Sequence, residues 1–227
     1  KTKALLLNTP GNPTGSCFSR KTLEEIAVIA KKHDLLVIAD DIYTLFSYAE
    51  PFIPLMTLEG MRERTITINS YSKDFAMTGW RVGCVIAPDY IIDSIRYVKL
   101  GNTFCTASVS QRAALHAIRM RKEIQPKLLA EFKERTYYAY ERINKIHNMS
   151  VPHPAGSIYQ FIDISKTGLT SLEVYQRILD EAHVLVLPGV AFGECGDGHL
   201  RIALTVGVDK LKEAFDRIEK MDIFNKK

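Results

Sequence analysis

Ala4-Leu5-Leu6-Leu7-Asn8 runs into Thr9-Pro10-Gly11-Asn12-Pro13-Thr14-Gly15, and Leu35-Leu36-Val37-Ile38-Ala39 comes later, closed by Asp40-Asp41. Both apolar runs are short and bounded by turn residues or charge, so they read as strands. Between them Leu23, Ile26, Ala27 and Ala30 recur at the spacing of one helix face. Thr22-Leu23-Glu24-Glu25 has the form of a capping box that would start this helix. Strand, helix, strand makes a βαβ unit, which predicts a parallel pair with a right-handed crossover. Thr65 to Asn69 and Val82 to Ala87 add a third and a fourth strand. Strands that are apolar almost without interruption predict a sheet covered on both faces.

Beyond Pro88 the texture changes. Asp89 to Leu100, Ser108 to Arg121 and Lys127 to His147 read as helices, and Met149 to Pro154 as a break. Ser157 to Ile164, Val184 to Leu187 and Leu200 to Leu204 read as strands. Ser171 to Ala182 is a helix with Thr170 and Glu173 as its capping box, and Asp209 to Met221 is a closing helix. This altered rhythm predicts an α/β domain over residues 1–105, followed by connecting helices and a smaller α+β domain over residues 106–227.

The 227 residues carry 30 Lys and Arg against 26 Asp and Glu, a net charge of +4. Hydrophobic residues make up 46%, which excludes a disordered or collagen-like chain. The charge is scattered without a basic tract, so nucleic acid is not an expected partner. No apolar run approaches the ~18 to 20 residues of a membrane span. Cys17, Cys84, Cys105 and Cys195 have no metal-ligand or redox spacing, and a reduced, cytoplasmic protein is expected. The six histidines show no metal-ligand pattern either. The chain starts directly on a buried-type strand, which is expected of the middle of a domain and hence of a fragment.

The segment richest in chemistry is Ser70-Tyr71-Ser72-Lys73-Asp74-Phe75-Ala76-Met77-Thr78-Gly79-Trp80-Arg81-Val82-Gly83. A lone loop lysine is ordinarily a solvated surface residue. Here it has company: Arg81 lies eight residues on, near two glycines, and Ser70 and Ser72 add hydroxyls. Such a set suits an anion, a phosphate beside an amine. The segment resembles the lysine signature of the class I/II, fold-type I aminotransferases, which use pyridoxal 5′-phosphate. All fourteen positions are compatible with that signature.

Three further motifs extend the resemblance. Asn8 to Gly15 is similar to the family loop N-x-P-x-N-P-T-G; by itself it would be a plain Pro/Gly turn. Asp40-Asp41-Ile42-Tyr43 ends a parallel strand, where ligands gather in such sheets; by itself Asp40 could be a helix N-cap. Arg201 sits in the apolar run after Gly198-His199, where its planar fork suits a carboxylate; a structural salt bridge is the alternative. Pro154-Ala155-Gly156-Ser157-Ile158-Tyr159 is similar to a P-x-G-x-x-Y strand start, with Ser157 and Ile158 less typical of the family.

The resemblance covers essentially the whole chain and implies a role for each of these residues. Lys73 would hold the cofactor as a Schiff base and then move a proton. Asp40 would pair with the protonated ring nitrogen, and Asn12 and Tyr43 would hydrogen-bond the ring oxygen. Ser70, Ser72 and Arg81 would hold the phosphate, and Arg201 the substrate carboxylate. The reaction would pass an amino group between an amino acid and a 2-oxo acid, with aromatic or acidic amino acids as donors. A homodimer is expected. Relatives are longer, and their N-terminal part adds a phosphate loop and a stacking ring, so this chain alone is expected to be weak or inactive. The same motifs also occur in carbon–sulfur lyases and decarboxylases. They occur too in aminotransferase-like effector domains of transcription regulators, although the sequence carries no basic recognition helix.

Overall fold

The computed structural model describes residues 1–225. The chain packs as two compact units, residues 1–10 with 17–129, and residues 11–16 with 130 onward.

The first unit holds β1 (Ala4–Asn8), α1 (Arg20–Lys32), β2 (Leu36–Asp40), β3 (Thr65–Ser70), α2 (Tyr71–Asp74), β4 (Gly83–Ile86), α3 (Asp89–Asn102) and α4 (Ser108–Arg119). Its sheet has the order β1-β2-β3-β4. β1, β2 and β3 are parallel, as the βαβ reading requires, and β4 runs antiparallel to β3. The segment from Tyr71 to Val82 is too short for a crossover helix, so the chain folds back beside the strand it left. On α1, Leu23, Ala27 and Ala30 are buried against Leu35, Val37, Leu55 and Met61. Removing such side chains from water stabilises the unit by about 1.5–3 kcal/mol each for the larger ones.

Two expectations are corrected by this unit. The cap of α1 is Ser19, whose hydroxyl accepts from the Thr22 N–H at 3.2 Å. Ser19 has the extended backbone a cap needs, whereas Thr22 already lies inside the first turn. The two faces of the sheet are also unequally covered among the described residues. Val37, Ala39, Thr65 and Thr67 are buried, but on the opposite face Leu6 is 72% exposed. Ile68 and Val85, paired across β3 and β4, are each 37% exposed. Ile95 and Lys99 of α3 reach the β3–β4 end of that face, where they share a cavity with Ile68 and Val85.

The second unit begins within α5 (Arg121–Ile143) and holds β5 (Tyr159–Asp163), α6 (Ser171–Arg177), β6 (Leu187–Pro188), β7 (His199–Ala203) and α7 (Val208–Ile218). α5 starts before the expected Lys127 and carries Pro126 inside it. Pro126 lies beyond the first four residues, whose N–H groups have no partner within the helix, so it forfeits one backbone hydrogen bond of α5. The sheet order is β5-β7-β6, all antiparallel. Ile162, Ile164, Val174, Ile178, Leu200 and Phe224 form a core with at most 1% exposure each. Thr170 and Glu173 make the expected capping box, but α6 gives way at Ile178–Ala182 to a wider π turn. The run from Val184 contributes only Leu187 and Pro188 to the sheet. Among the described residues no helix is long and apolar enough to cross a membrane.

Candidate active site

In the first unit the parallel strands end together. Asp40 pairs in register with Ile68, two residues before Ser70, so Asp40 and Ser70 lie on the same sheet face. Two asparagines fasten these strand ends. Asn8 Nδ2 donates to the Asp40 carbonyl at 3.0 Å, and Asn69 Nδ2 donates to the Asp41 carbonyl at 2.9 Å. The Asp41 N–H donates to the Ile68 carbonyl at 2.8 Å. After Asp41 the chain makes a turn over residues 42–45 and no helix, so Asp40 does not serve as an N-cap.

Ser70 caps α2 by accepting from the Ser72 N–H at 3.2 Å. Lys73 sits half-buried in this single turn. Arg81 takes the left-handed conformation, φ 51°, and its Nη1 donates to the Thr78 carbonyl at 2.9 Å. That conformation costs a non-glycine residue roughly 1–2 kcal/mol. Gly83 lies so close to β3 that a Cβ there would stand 2.6 Å from the Asn69 carbonyl oxygen, so the approach needs glycine. The result is a cavity of about 440 Å³ lined by Ser70, Ser72, Arg81 and Lys99, with Ile68 and Val85 among its apolar walls. Two hydroxyls and a planar guanidinium are donors matched to the oxygens of a phosphate.

Three carboxyls of this unit depart from their ordinary range. Burial holds Asp40 up, partly offset by the Ile42 N–H. Asp41, 3% exposed, is pushed up to about 7 by burial and then by the charge of Asp40. Asp74, 5% exposed, is pushed up to about 6 by burial, against the bonds from Thr44 and Leu45. A nearby cation would offset the burial of Asp40 and favour its charged form. Tyr43, three residues after Asp40, is 2% exposed.

The second unit brings Asn12 and Arg201 together. Arg201 Nη1 donates to the Asn12 side-chain carbonyl at 2.9 Å. The guanidinium lies over the ring of Tyr159, 4.4 Å from its centroid, and beside Phe192 at 4.8 Å. Its Nε is buried without a hydrogen-bond partner. These surroundings are an amide and two ring faces, which orient a guanidinium without neutralising it. The Asn12–Pro13 bond is cis, and Gly15 accepts from the Gly156 N–H at 3.0 Å, joining the loop to the segment before β5. Between β6 and β7 the backbones of Gly189 and Gly196 cross so closely that a Cβ at either would overlap the other's carbonyl. That crossing shapes the loop carrying Phe192.

Ser70, Ser72 and Arg81 therefore share one cavity, with Lys73 in the same turn and Asp40 and Tyr43 on the neighbouring strand end of the same unit. Asn12 and Arg201 share the second unit. The sequence motifs assign no individual role to Asn8, Asn69, Asp74, Tyr159 or Phe192. Asn8 and Asn69 both sit at the polar end of an apolar strand, and that signal could have found them.

The family model of aminotransferase class I and II matches residues 1–218. The chain is 43% identical to an aspartate aminotransferase of Pyrococcus abyssi over 224 residues, covering 97% of this chain and 57% of that protein. It is 40% identical to aromatic-amino-acid aminotransferase 2 of Thermococcus litoralis, with the same coverage. The crystal structure of an aromatic aminotransferase from Pyrococcus horikoshii superposes with a TM-score of 0.93 at 40% identity, covering 96% of this chain and 59% of that one. The chain thus spans a little over half the length of the relatives it matches.

Proposed function

Because the chain belongs to the class I and II aminotransferases, we propose that it anchors pyridoxal phosphate and passes an amino group between an amino acid and a 2-oxo acid. Members of this family use that cofactor, which when bound supplies an electron sink for bonds at the substrate Cα. The convergence of Ser70, Ser72 and Arg81 on one cavity, with Lys73 in the same turn, carries the reading. These three side chains would hold the phosphate. Asp40 would hold the proton on the ring nitrogen, and its carboxyl, raised by burial, would fall on meeting that cation. Asn12 and Tyr43 would donate to the ring oxygen. The Asn12 side-chain carbonyl accepts from Arg201, which fixes the orientation of that amide. Lys73 Nζ would be the attachment point and, once displaced, would take the proton from the substrate Cα and return it to the cofactor carbon. Arg201, oriented by Tyr159 and Phe192, would bind the substrate carboxylate in two parallel hydrogen bonds.

The proposal assigns cofactor binding mainly to residues 1–105 and substrate binding mainly to residues 106–227. It includes an acidic or aromatic amino acid as donor, in keeping with the relatives named for both. It also includes a homodimer, a cytoplasmic location and a role in amino acid metabolism. The test is an absorbance titration of the chain with pyridoxal phosphate, followed by borohydride reduction and peptide mapping. A pyridoxyl mass on Lys73 is expected. No adduct, in this chain and in a longer version extended to the length of its relatives, would overturn the cofactor role. A 2-oxo acid assay then separates transamination from carbon–sulfur lysis, since a lyase releases product without an acceptor.

A further inference from the structure

Asp74 comes directly after Lys73, yet its side chain turns inward and is 5% exposed. Its Oδ2 accepts from Thr44 Oγ1 at 2.7 Å, and its Oδ1 accepts from the Leu45 N–H at 3.4 Å. Thr44 and Leu45 come immediately after Tyr43, in the turn that leaves Asp40 and Asp41. One carboxylate therefore joins the lysine turn to the strand-end turn 30 residues earlier.

The lysine turn needs such a fastening. α2 has four residues, and an isolated helix of that length has no stability of its own. Tyr71 and Phe75 hold it by packing against Met77, Val82, Ala114 and Ala117. That apolar contact resists removal of the turn but specifies direction weakly, because such contacts are non-directional. Hydrogen bonds to a charged acceptor are directional and stronger than neutral ones. A carboxylate is also a costly group to bury among neutral donors, and an apolar residue would stabilise the same space at less expense. Burial does hold this carboxyl above its ordinary range.

We infer that Asp74 is a positioning residue, whose bridge to Thr44 and Leu45 fixes the direction of Lys73 relative to the Asp40–Tyr43 segment. The inference rests on the cofactor reading of Lys73. It predicts that weakening the bridge lowers capture of the cofactor by Lys73 beyond any loss of stability.

The experiment compares the chain with Asp74→Asn, Thr44→Val, Thr44→Ser and the Asp74→Asn/Thr44→Val pair. Asparagine keeps the size but exchanges one acceptor for a donor. Valine keeps the shape of threonine and removes its hydroxyl, whereas serine keeps the hydroxyl. Two quantities are read: the pyridoxal phosphate concentration that half-saturates borohydride labelling of Lys73, and the urea midpoint without cofactor. Asp74→Asn and Thr44→Val should each raise the first by roughly three- to tenfold, the worth of one such hydrogen bond. Thr44→Ser should stay close to the wild type. The pair should be no worse than Asp74→Asn alone, because both changes remove one bridge. Variants that lower the urea midpoint but label Lys73 as the wild type does would overturn the positioning role. So would additive effects in the pair. Absence of label at Lys73 both in this chain and in a version extended to the length of its relatives overturns the cofactor reading, and this role with it.

Discussion

Arg201 donates to the side-chain carbonyl of Asn12 across a sequence separation of 189 residues. One N–H of the fork is thereby committed to orientation, and the ring faces of Tyr159 and Phe192 fix the guanidinium plane. Arg201→Lys keeps the charge and loses the planar fork. It should weaken binding of an amino-acid carboxylate by about tenfold or more, whereas Asn12→Ala should cost a few-fold, the net worth of one exposed hydrogen bond. Calorimetric titration with a dicarboxylate substrate analogue checks both. Equal affinity for Arg201→Lys and wild type would remove the carboxylate role.

Arg81 should matter to the phosphate and to little else on the cofactor. Arg81→Gln is expected to raise the pyridoxal phosphate dissociation constant roughly ten- to a hundredfold, as for loss of a charge-assisted bond. Binding of pyridoxal, which lacks the phosphate, should change far less. Parallel absorbance titrations with the two compounds give the comparison.

The Asp41 carboxyl stands at about 7 in the fold against an ordinary 3.8. A raised acid favours its protonated form, so its contribution to stability is complete below the ordinary value and is lost as pH rises through about 7. Asp41→Asn, neutral at every pH, should therefore raise the urea midpoint at about pH 8 and change it much less at about pH 4. A midpoint difference that is flat in pH would contradict the burial of this group.

Capping tests the start of α1. Ser19→Ala removes the hydroxyl that accepts from the Thr22 N–H and should destabilise the chain by about 1 kcal/mol. Glu25→Gln should be near neutral, since Glu25 is exposed and closes no capping box. Urea unfolding of the two variants discriminates them.

Leu200 is fully buried in β7, one residue before Arg201. Leu200→Ala should cost about 2–5 kcal/mol by leaving a cavity in the core of the second unit. Gly189→Ala acts differently, because the new Cβ meets the backbone of Gly196. It should disturb the loop carrying Phe192, and carboxylate binding should drop further than the urea midpoint alone accounts for.

The parallel strands and the helix between them were legible because period and turn residues are local signals. The lysine segment was legible because its constrained positions lie within fourteen residues. Other features were hidden by distance along the chain. Asp74 reads as an ordinary acidic residue until Thr44 and Leu45 are placed against it. Arg201 stood out in the sequence as an arginine in an apolar strand, but its amide and aromatic surroundings come from residues 12, 159 and 192. The misplaced cap had a subtler cause: Thr22 and Glu25 match the capping pattern, and only the extended backbone of Ser19 shows where the helix begins. The sheet's less covered side could not be read from strand composition, since an apolar strand looks the same whether or not something lies against it.

That less covered side affects how the isolated chain behaves as a material. Leu6, Ile38 and Ile66 stand abreast in register across three strands, with Ile68 and Val85 beside them. Leu6, Ile68 and Val85 of this row are exposed to solvent, and water drives such apolar surfaces to cover one another. Such exposed apolar area lowers solubility against the contribution of the net charge of +4. Sulfate, which strengthens apolar burial, should lower the concentration at which solutions turn turbid. Whatever polypeptide or amphiphile shields that row would act as a solubiliser first, before it contributes anything to chemistry.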